Sequence, residues 1–284
     1  MSWQFNVTMV YLVRDGHEGT DSVLQVAHPA LKHVTADMHW GSGRTENFLF
    51  ASSACLADGS GIHRAFDILN NRAVMSFNAS KEACSSLTVD PFGDSLYIAT
   101  EGPDSRYTLR RYDVRYPSRR CRTEEECIDL EPFSSKPVHS WTDIHCLSVS
   151  SDGIYIAAGR TDNWVDIYDA RMLHRGALYK CAHEPGGVDT GSYGVVKVQW
   201  VDSVPYGTGF LSGGNDGCVR LWDMKRAGDD PRNGEVIVRC DYDIATFTLG
   251  NMYWGEAAIV VGERSGKVTM FGYEETDGSA YGSA

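Results

Sequence analysis

The chain has 284 residues, of which 42% are hydrophobic and 23% charged, with 29 glycines and a net charge of −12 at neutral pH. That length and apolar content support a sizeable core, while the acidic balance speaks against a surface built to neutralise nucleic-acid phosphates. The longest apolar stretches, such as 6–13 and 257–261, have strand length and fall far short of the ~20 residues of a transmembrane helix.

In chain order, apolar runs between Gly, Asp and Asn turns predict one strand at 5–13 and then five four-stranded units. The first unit takes 22–27, 34–40, 48–53 and 61–67, and the second takes 73–77, 85–89, 96–100 and 107–113. The third takes 137–141, 144–149, 154–158 and 164–169, with Ser150-Ser151-Asp152-Gly153 as a turn. The fourth takes 177–181, 195–201, 209–212 and 218–223, and the fifth 235–240, 244–249, 257–261 and 267–271. Four units close on an aromatic followed by aspartate: Phe66-Asp67, Tyr112-Asp113, Tyr168-Asp169 and Trp222-Asp223. The last closes on Phe271-Gly272. The endings recur every 46 to 56 residues, close to the ~40–45 residues of a four-stranded propeller blade lengthened by insertions. The expected fold is therefore all-β, a β-propeller of four-stranded antiparallel blades over residues 1–273, followed by a flexible tail at 274–284.

The fourth unit carries His183 before its inner strand, Ser212 on the next strand, Asp216 in the following tight turn and Trp222 on the strand after it. A buried indole N–H and a buried carboxylate each need a partner, and linking them would pin a sheet edge to its loop. This layout resembles the WD-repeat family, in which those four positions form a buried hydrogen-bonded set. Tyr112 and Tyr168 stand where the family has tryptophan, so the set is expected to be complete in this unit alone. In WD-repeat order, strand 5–13 reads as the closing strand of a preceding blade. Two arrangements follow from this: the strand pairs with the last blade and closes a small ring, or the chain is the C-terminal part of a seven-bladed ring. Mid-blade sequence directly after Met1 favours the second, which leaves open sheet edges prone to association.

Three insertions decorate the blades, at 116–135, 184–194 and 224–234, where long loops on a rigid ring offer binding residues. Segment 106–131 carries seven arginines against six acids, which reads as a solvated stretch of mutually screening charges rather than a phosphate-binding patch. The phosphate-loop, nucleophile-elbow, dinucleotide and metallopeptidase motifs are absent from the sequence. Cys121 and Cys127 lack the paired spacing of a zinc site. His28, His33 and His39 straddle a loop and an alternating strand rather than forming a ligand set. Most cysteines fall within apolar strands as small core residues, and no secretory signal precedes them. These readings point to a chain that is not an enzyme, has no cofactor or metal, and resides in the cytoplasm or nucleus.

One motif reaches beyond architecture. Asp113-Val114-Arg115, Asp169-Ala170-Arg171 and Asp223-Met224-Lys225 each place a base two residues after the terminal aspartate. This is similar to the WDxR, or DWD, box of WD-repeat substrate receptors, in which that base helps dock onto the adaptor of a cullin-RING ubiquitin ligase. The resemblance implies a protein-binding subunit, for substrate recognition or scaffolding, with Asp113, Arg115, Asp169, Arg171, Asp223 and Lys225 as candidate adaptor contacts. The competing expectation for these residues is an ion pair within each blade. The alternative function is a chromatin or nuclear scaffold holding a peptide tail in the central channel.

Overall fold

The computed structural model describes residues 7–13, 20–27, 33–55, 58–80, 82–101, 107–118, 120–130, 144–183, 194–204, 207–226, 233–250 and 258–272. Among them the chain is all strand and turn, apart from single 3₁₀ turns at Gly43–Thr45 and Leu173–Arg175. No helix of these residues is long and apolar enough to cross a membrane.

Strands β1 (Val7–Val13) and β2 (Thr20–Ala27) pair antiparallel as a two-stranded sheet. The first full sheet contains β3 (His33–Trp40), β4 (Phe48–Cys55), β5 (His63–Asp67) and β6 (Arg72–Phe77) in consecutive order, with a two-residue parallel addition, β10 (Cys121–Arg122), on its outer edge. The second contains β7 (Ala83–Val89), β8 (Ser95–Glu101), β9 (Tyr107–Asp113) and β11 (Glu126–Asp129). The third runs β12 (Ile144–Val149), β13 (Tyr155–Arg160), β14 (Trp164–Asp169) and β15 (Ala177–Ala182). The fourth runs β16 (Val195–Val204), β17 (Gly207–Gly214), β18 (Cys218–Asp223) and β19 (Glu235–Arg239). The last has β20 (Ile244–Leu249), β21 (Ile259–Glu263) and β22 (Val268–Phe271).

Two expectations from the sequence are corrected here. Each sheet is offset by one strand from the sequence unit, because the strand after each aromatic-Asp ending folds back onto the strand it has just left: Ala177–Ala182 pairs with β14, and Glu235–Arg239 with β18. The insertion at 116–135 is not simply a loop, since its acidic half forms β11, the outer strand of the second sheet. Strand β1 pairs with β2, and among the described residues β22 has no partner on its outer edge. The expected strand at 137–141, His28, most of the 184–194 and 224–234 insertions and the tail at 274–284 lie outside the described residues.

Strand alternation explains how the sheets pack. Successive side chains on a strand face opposite ways, so each second strand feeds two interfaces at once. Ile98 packs against the first sheet while its neighbour Tyr97 packs against the third. Ile156 and Ala157 divide in the same way, as do Phe210 and Leu211. All six are buried. Four apolar seams therefore join five sheets in chain order, a core divided among interfaces rather than gathered at one centre.

The innermost strands are stitched together by polar contacts. Asp37 Oδ2 on β3 accepts from Ser86 Oγ at 3.0 Å and from the Leu87 amide at 2.8 Å on β7. Ser86 Oγ in turn accepts from the Leu147 amide on β12 at 3.2 Å. Trp200 Nε1 on β16 donates to the Ser148 carbonyl at 3.0 Å. Each of the five innermost strands also carries a register shift near its start, at Ala36, Ser85, His145, Val196 and Ala245. One extra residue on that strand increases local twist, and the repetition shows a common device where the strands converge.

Candidate functional site

Four side chains of the fourth sheet form one hydrogen-bonded chain. Trp222 Nε1 donates to Ser212 Oγ at 2.7 Å, Ser212 Oγ lies 2.6 Å from His183 Nε2, and His183 Nδ1 lies 3.0 Å from Asp216 Oδ1. The donors balance when Nδ1 donates to the carboxylate and the serine hydroxyl donates to Nε2. Asp216 also accepts from the Cys218 amide and from Arg220 Nε. His183, Ser212 and Trp222 are buried. Two glycines make room for the set. A Cβ on Gly214 would stand 2.8 Å from His183 Nδ1, and one on Gly234, at φ +83°, would stand 2.5 Å from the Trp222 ring.

Burial alone would raise the Asp216 carboxyl, but the hydrogen bonds from His183 and Arg220 hold it below the usual carboxylate range. A depressed folded value means that the stability it contributes is present above the unfolded value of ~3.9 and is lost as pH falls through the folded value. Asp113 and Asp169 are held low chiefly by hydrogen bonds from Arg115 and Arg171 and act in the same direction, weakened by solvent. Acid titration followed by circular dichroism is expected to show unfolding that sets in below about pH 4. Asp216→Asn should flatten that acid limb while lowering stability at neutral pH.

The neighbouring sheets fill the equivalent interior with other chemistry. In the second, Glu82 Oε2 accepts from Thr100 Oγ1 at 2.6 Å and from Arg110 Nη2 at 2.9 Å, while Arg110 Nη1 reaches Glu124 Oε1 at 3.0 Å. In the third, Arg160 grips Asp162 through Nε and Nη2 at 3.0 and 2.8 Å and donates from Nη1 to Asp166 Oδ2 at 2.7 Å. Tyr112 and Tyr168, at the expected tryptophan positions, are buried and donate to the Asn78 carbonyl and Asp166 Oδ2. In the first, His63 lies 3.0 Å from Ser52 Oγ and 3.1 Å from the Glu82 carbonyl. Sequence reading missed the Arg110 and Arg160 clusters. The acids of Arg110 lie 28 and 14 residues away in the sequence, and those of Arg160 lie two and six residues on, across a turn.

These clusters also account for much of the arginine-rich segment. Besides Glu124 with Arg110, Glu125 and Glu126 lie 3.6 and 3.5 Å from Arg111, and Arg122 donates to the Tyr116 carbonyl. Glu126 further accepts from the His174 amide and lies 2.6 Å from its Nδ1, while Arg111 Nη1 donates to the Ala170 carbonyl. The segment thus joins the second sheet to the third. Burial pushes the thiols of Cys146 and Cys181 up to about 12 and raises that of Cys84 further, so these cysteines stay protonated near neutral pH. Among the described residues, no group of three or more His, Cys, Asp or Glu side chains could hold a metal ion.

The candidate docking residues share one rim. The first four sheet endings hydrogen-bond where the first two strands of their own sheet turn: Ile68 to Asn47, Val114 to Asp94 and Ala170 to Ile154 in the connection, and Met224 to Thr208 at the start of β17. Adjacent connections touch. The Arg44 amide donates to the Phe92 carbonyl at 3.0 Å, and a Cβ on Gly153 would stand 2.9 Å from the Phe92 ring. Arg115, Arg171 and Lys225 therefore lie on the same side, and the turn bearing Asp216 lies on the other. Local acids take up the two arginines, as the ion-pair reading of these endings expects. Arg115 Nε and Nη2 contact both oxygens of Asp113 at 3.0 and 2.8 Å, and Arg171 makes the same pair with Asp169 at 3.0 and 2.9 Å. An aspartate two residues before an arginine matches the two-pronged guanidinium fork. Nη1 of each is left outside that fork. Lys225 gives Asp223 only its amide, at 2.9 Å. The same rim exposes Trp40 (51%), Leu69 (75%), Phe92 (54%) and Tyr116 (69%).

The arrangement recurs in solved structures. A solved structure of the Dos1 propeller superposes with a TM-score of 0.72 at 18% identity, covering 93% of this chain and 62% of that one. This chain has a β-propeller fold. A chain of a mitotic checkpoint complex structure shares that fold, with a TM-score of 0.64 at 15% identity over 95% of this chain and 69% of its own. Rik1-associated factor 1 of Schizosaccharomyces pombe is 23% identical over 224 residues, which is 76% of this chain and 31% of the relative. The chain thus spans about a third of that relative's length. No protein-family model matches the chain. In propeller terms, the five sheets joined by apolar seams are blades, their innermost strands face the axis, and the blade endings form one face.

Proposed function

We propose that this propeller is a noncatalytic protein-interaction subunit, for substrate recognition or scaffolding, in a multisubunit complex such as a ubiquitin ligase. The observation that carries the reading is the blade-end rim, where four large apolar side chains are exposed on the same face as Arg115 and Arg171. Exposed aromatics ringed by charge are the makeup of a protein-binding hot spot. The Asp113 and Asp169 forks orient the two guanidiniums, so their outer edges are presented to a partner carbonyl or carboxylate with little side-chain freedom left to lose. Two of the similar proteins are named for association: one is Rik1-associated factor 1, and the other is part of a mitotic checkpoint complex. The ligase reading itself rests on the similarity of the blade endings to the WDxR box.

Affinity purification with mass spectrometry tests this. A cullin-ligase adaptor is expected to co-purify with the wild type and to be lost with Arg171→Glu, while the thermal unfolding midpoint stays close to wild type because Arg171 is solvent-exposed. If no adaptor is recovered, or the variant retains it, the blade-end pairs serve only the fold and the ligase reading falls. Recovery of chromatin proteins instead would favour a scaffold holding a peptide in the channel.

A further inference from the structure

A groove of about 600 Å³ opens between the outer strand of the second blade, β11, and strands β14 and β15 of the third. Its wall includes Asp166, which is 2% exposed. Asp166 Oδ2 is satisfied by Arg160 and Tyr168, whereas Oδ1 is buried without a hydrogen-bond partner. A buried carboxylate oxygen without a donor is costly. Arg160 divides its guanidinium between Asp162 and Asp166. Asp129 on β11 also lines the groove, as do the cations Arg175 and Lys180 and the imidazole of His174. All four of these side chains are exposed, so water screens them. The desolvated group is Asp166.

We infer that this groove binds a cationic side chain, an arginine or lysine of a peptide partner, with its N–H donating to Asp166 Oδ1. The site does not use the blade-end bases, and it stands or falls independently of the docking rim. Lys180 lies directly across from Asp166 in the β14–β15 pairing and lines the same groove, which makes its ammonium the internal competitor. Cys127, an exposed thiol in the groove wall, supplies a reporter.

The experiment measures iodoacetamide labelling of Cys127 by peptide-resolved mass spectrometry, using the full chain and short Gly-Ser peptides bearing one arginine or one norleucine. The arginine peptide is expected to slow labelling several-fold and the norleucine peptide to leave it unchanged. Lys180→Ala should deepen the protection, and Asp166→Asn should abolish it. Should Asp166→Asn fail to fold, the wild type and Lys180→Ala decide the matter. Equal protection by both peptides, no protection by the arginine peptide, or protection that is unchanged or weaker in Lys180→Ala would each overturn the proposal and leave a groove filled by water.

Discussion

Trp222→Ala is expected to destabilise the protein by about 3–5 kcal/mol, the range for truncating a buried tryptophan. Two losses combine in this variant. The indole stacks on Phe210 with ring centroids 6.1 Å apart and lies against Gly234, so its removal leaves a cavity in the seam between the third and fourth blades. Its N–H also anchors Ser212 and, through it, His183 and Asp216. Small domains hold only about 5–15 kcal/mol in total, so the variant should unfold at much lower urea than the wild type. Trp222→Phe keeps most of the ring and loses the donor, which should cost nearer 1 kcal/mol. Equilibrium urea denaturation followed by far-ultraviolet circular dichroism measures both. A loss below about 1 kcal/mol for the alanine variant would mean that the seam is not packed as described.

Arg160→Met is expected to cost a similar amount, about 3–5 kcal/mol at neutral pH, because removing one partner of a buried ionic set leaves the others uncompensated. The Arg160 side chain is 4% exposed and that of Asp166 3%. In the variant, the Asp166 carboxylate has lost its cation in a desolvated site. Arg160→Met combined with Asp166→Asn should recover part of the loss, because no buried charge is then left at that position. Urea midpoints of the three proteins at neutral pH test this, and a double variant no more stable than Arg160→Met would assign the effect to packing alone.

How much of this was legible from the sequence depends on what each residue announces. The His183, Ser212, Asp216 and Trp222 set was readable because each position falls at a fixed place relative to a strand or turn, and the hydrogen bonds follow from that placement. Most strands were readable because their apolar residues alternate between Gly, Asp and Asn turns. Strand β11 was not, since Glu126-Cys127-Ile128-Asp129 has one aliphatic residue and sits among acids. It becomes a strand by pairing with β9 and by bringing the half-buried Glu124 and Glu126 to arginines and His174. Arg110 and Arg160 were unreadable for a related reason: an arginine in a strand reads as a surface residue until its acids, distant or displaced across a turn, are brought to it. The forks at Asp113–Arg115 and Asp169–Arg171 were the reading that the endings favoured over free docking bases, although a two-residue spacing alone does not show whether the side chains turn toward each other or toward solvent. The repeated register shift on the innermost strands has no residue signature at all, since Ala36, Ser85, His145, Val196 and Ala245 share no chemistry.

The claim that the blade-end rim is the docking face is tested most directly by hydroxyl-radical footprinting of the purified complex against the free chain. Trp40, Phe92 and Tyr116 are exposed on that rim, and Tyr242, 59% exposed, lies beside the Asp216 turn on the opposite side. Docking through the rim predicts that Trp40, Phe92 and Tyr116 are protected in the complex while Tyr242 stays as reactive as in the free chain. Protection of Tyr242 with the three rim aromatics unchanged would place the partner on the other face and contradict the account.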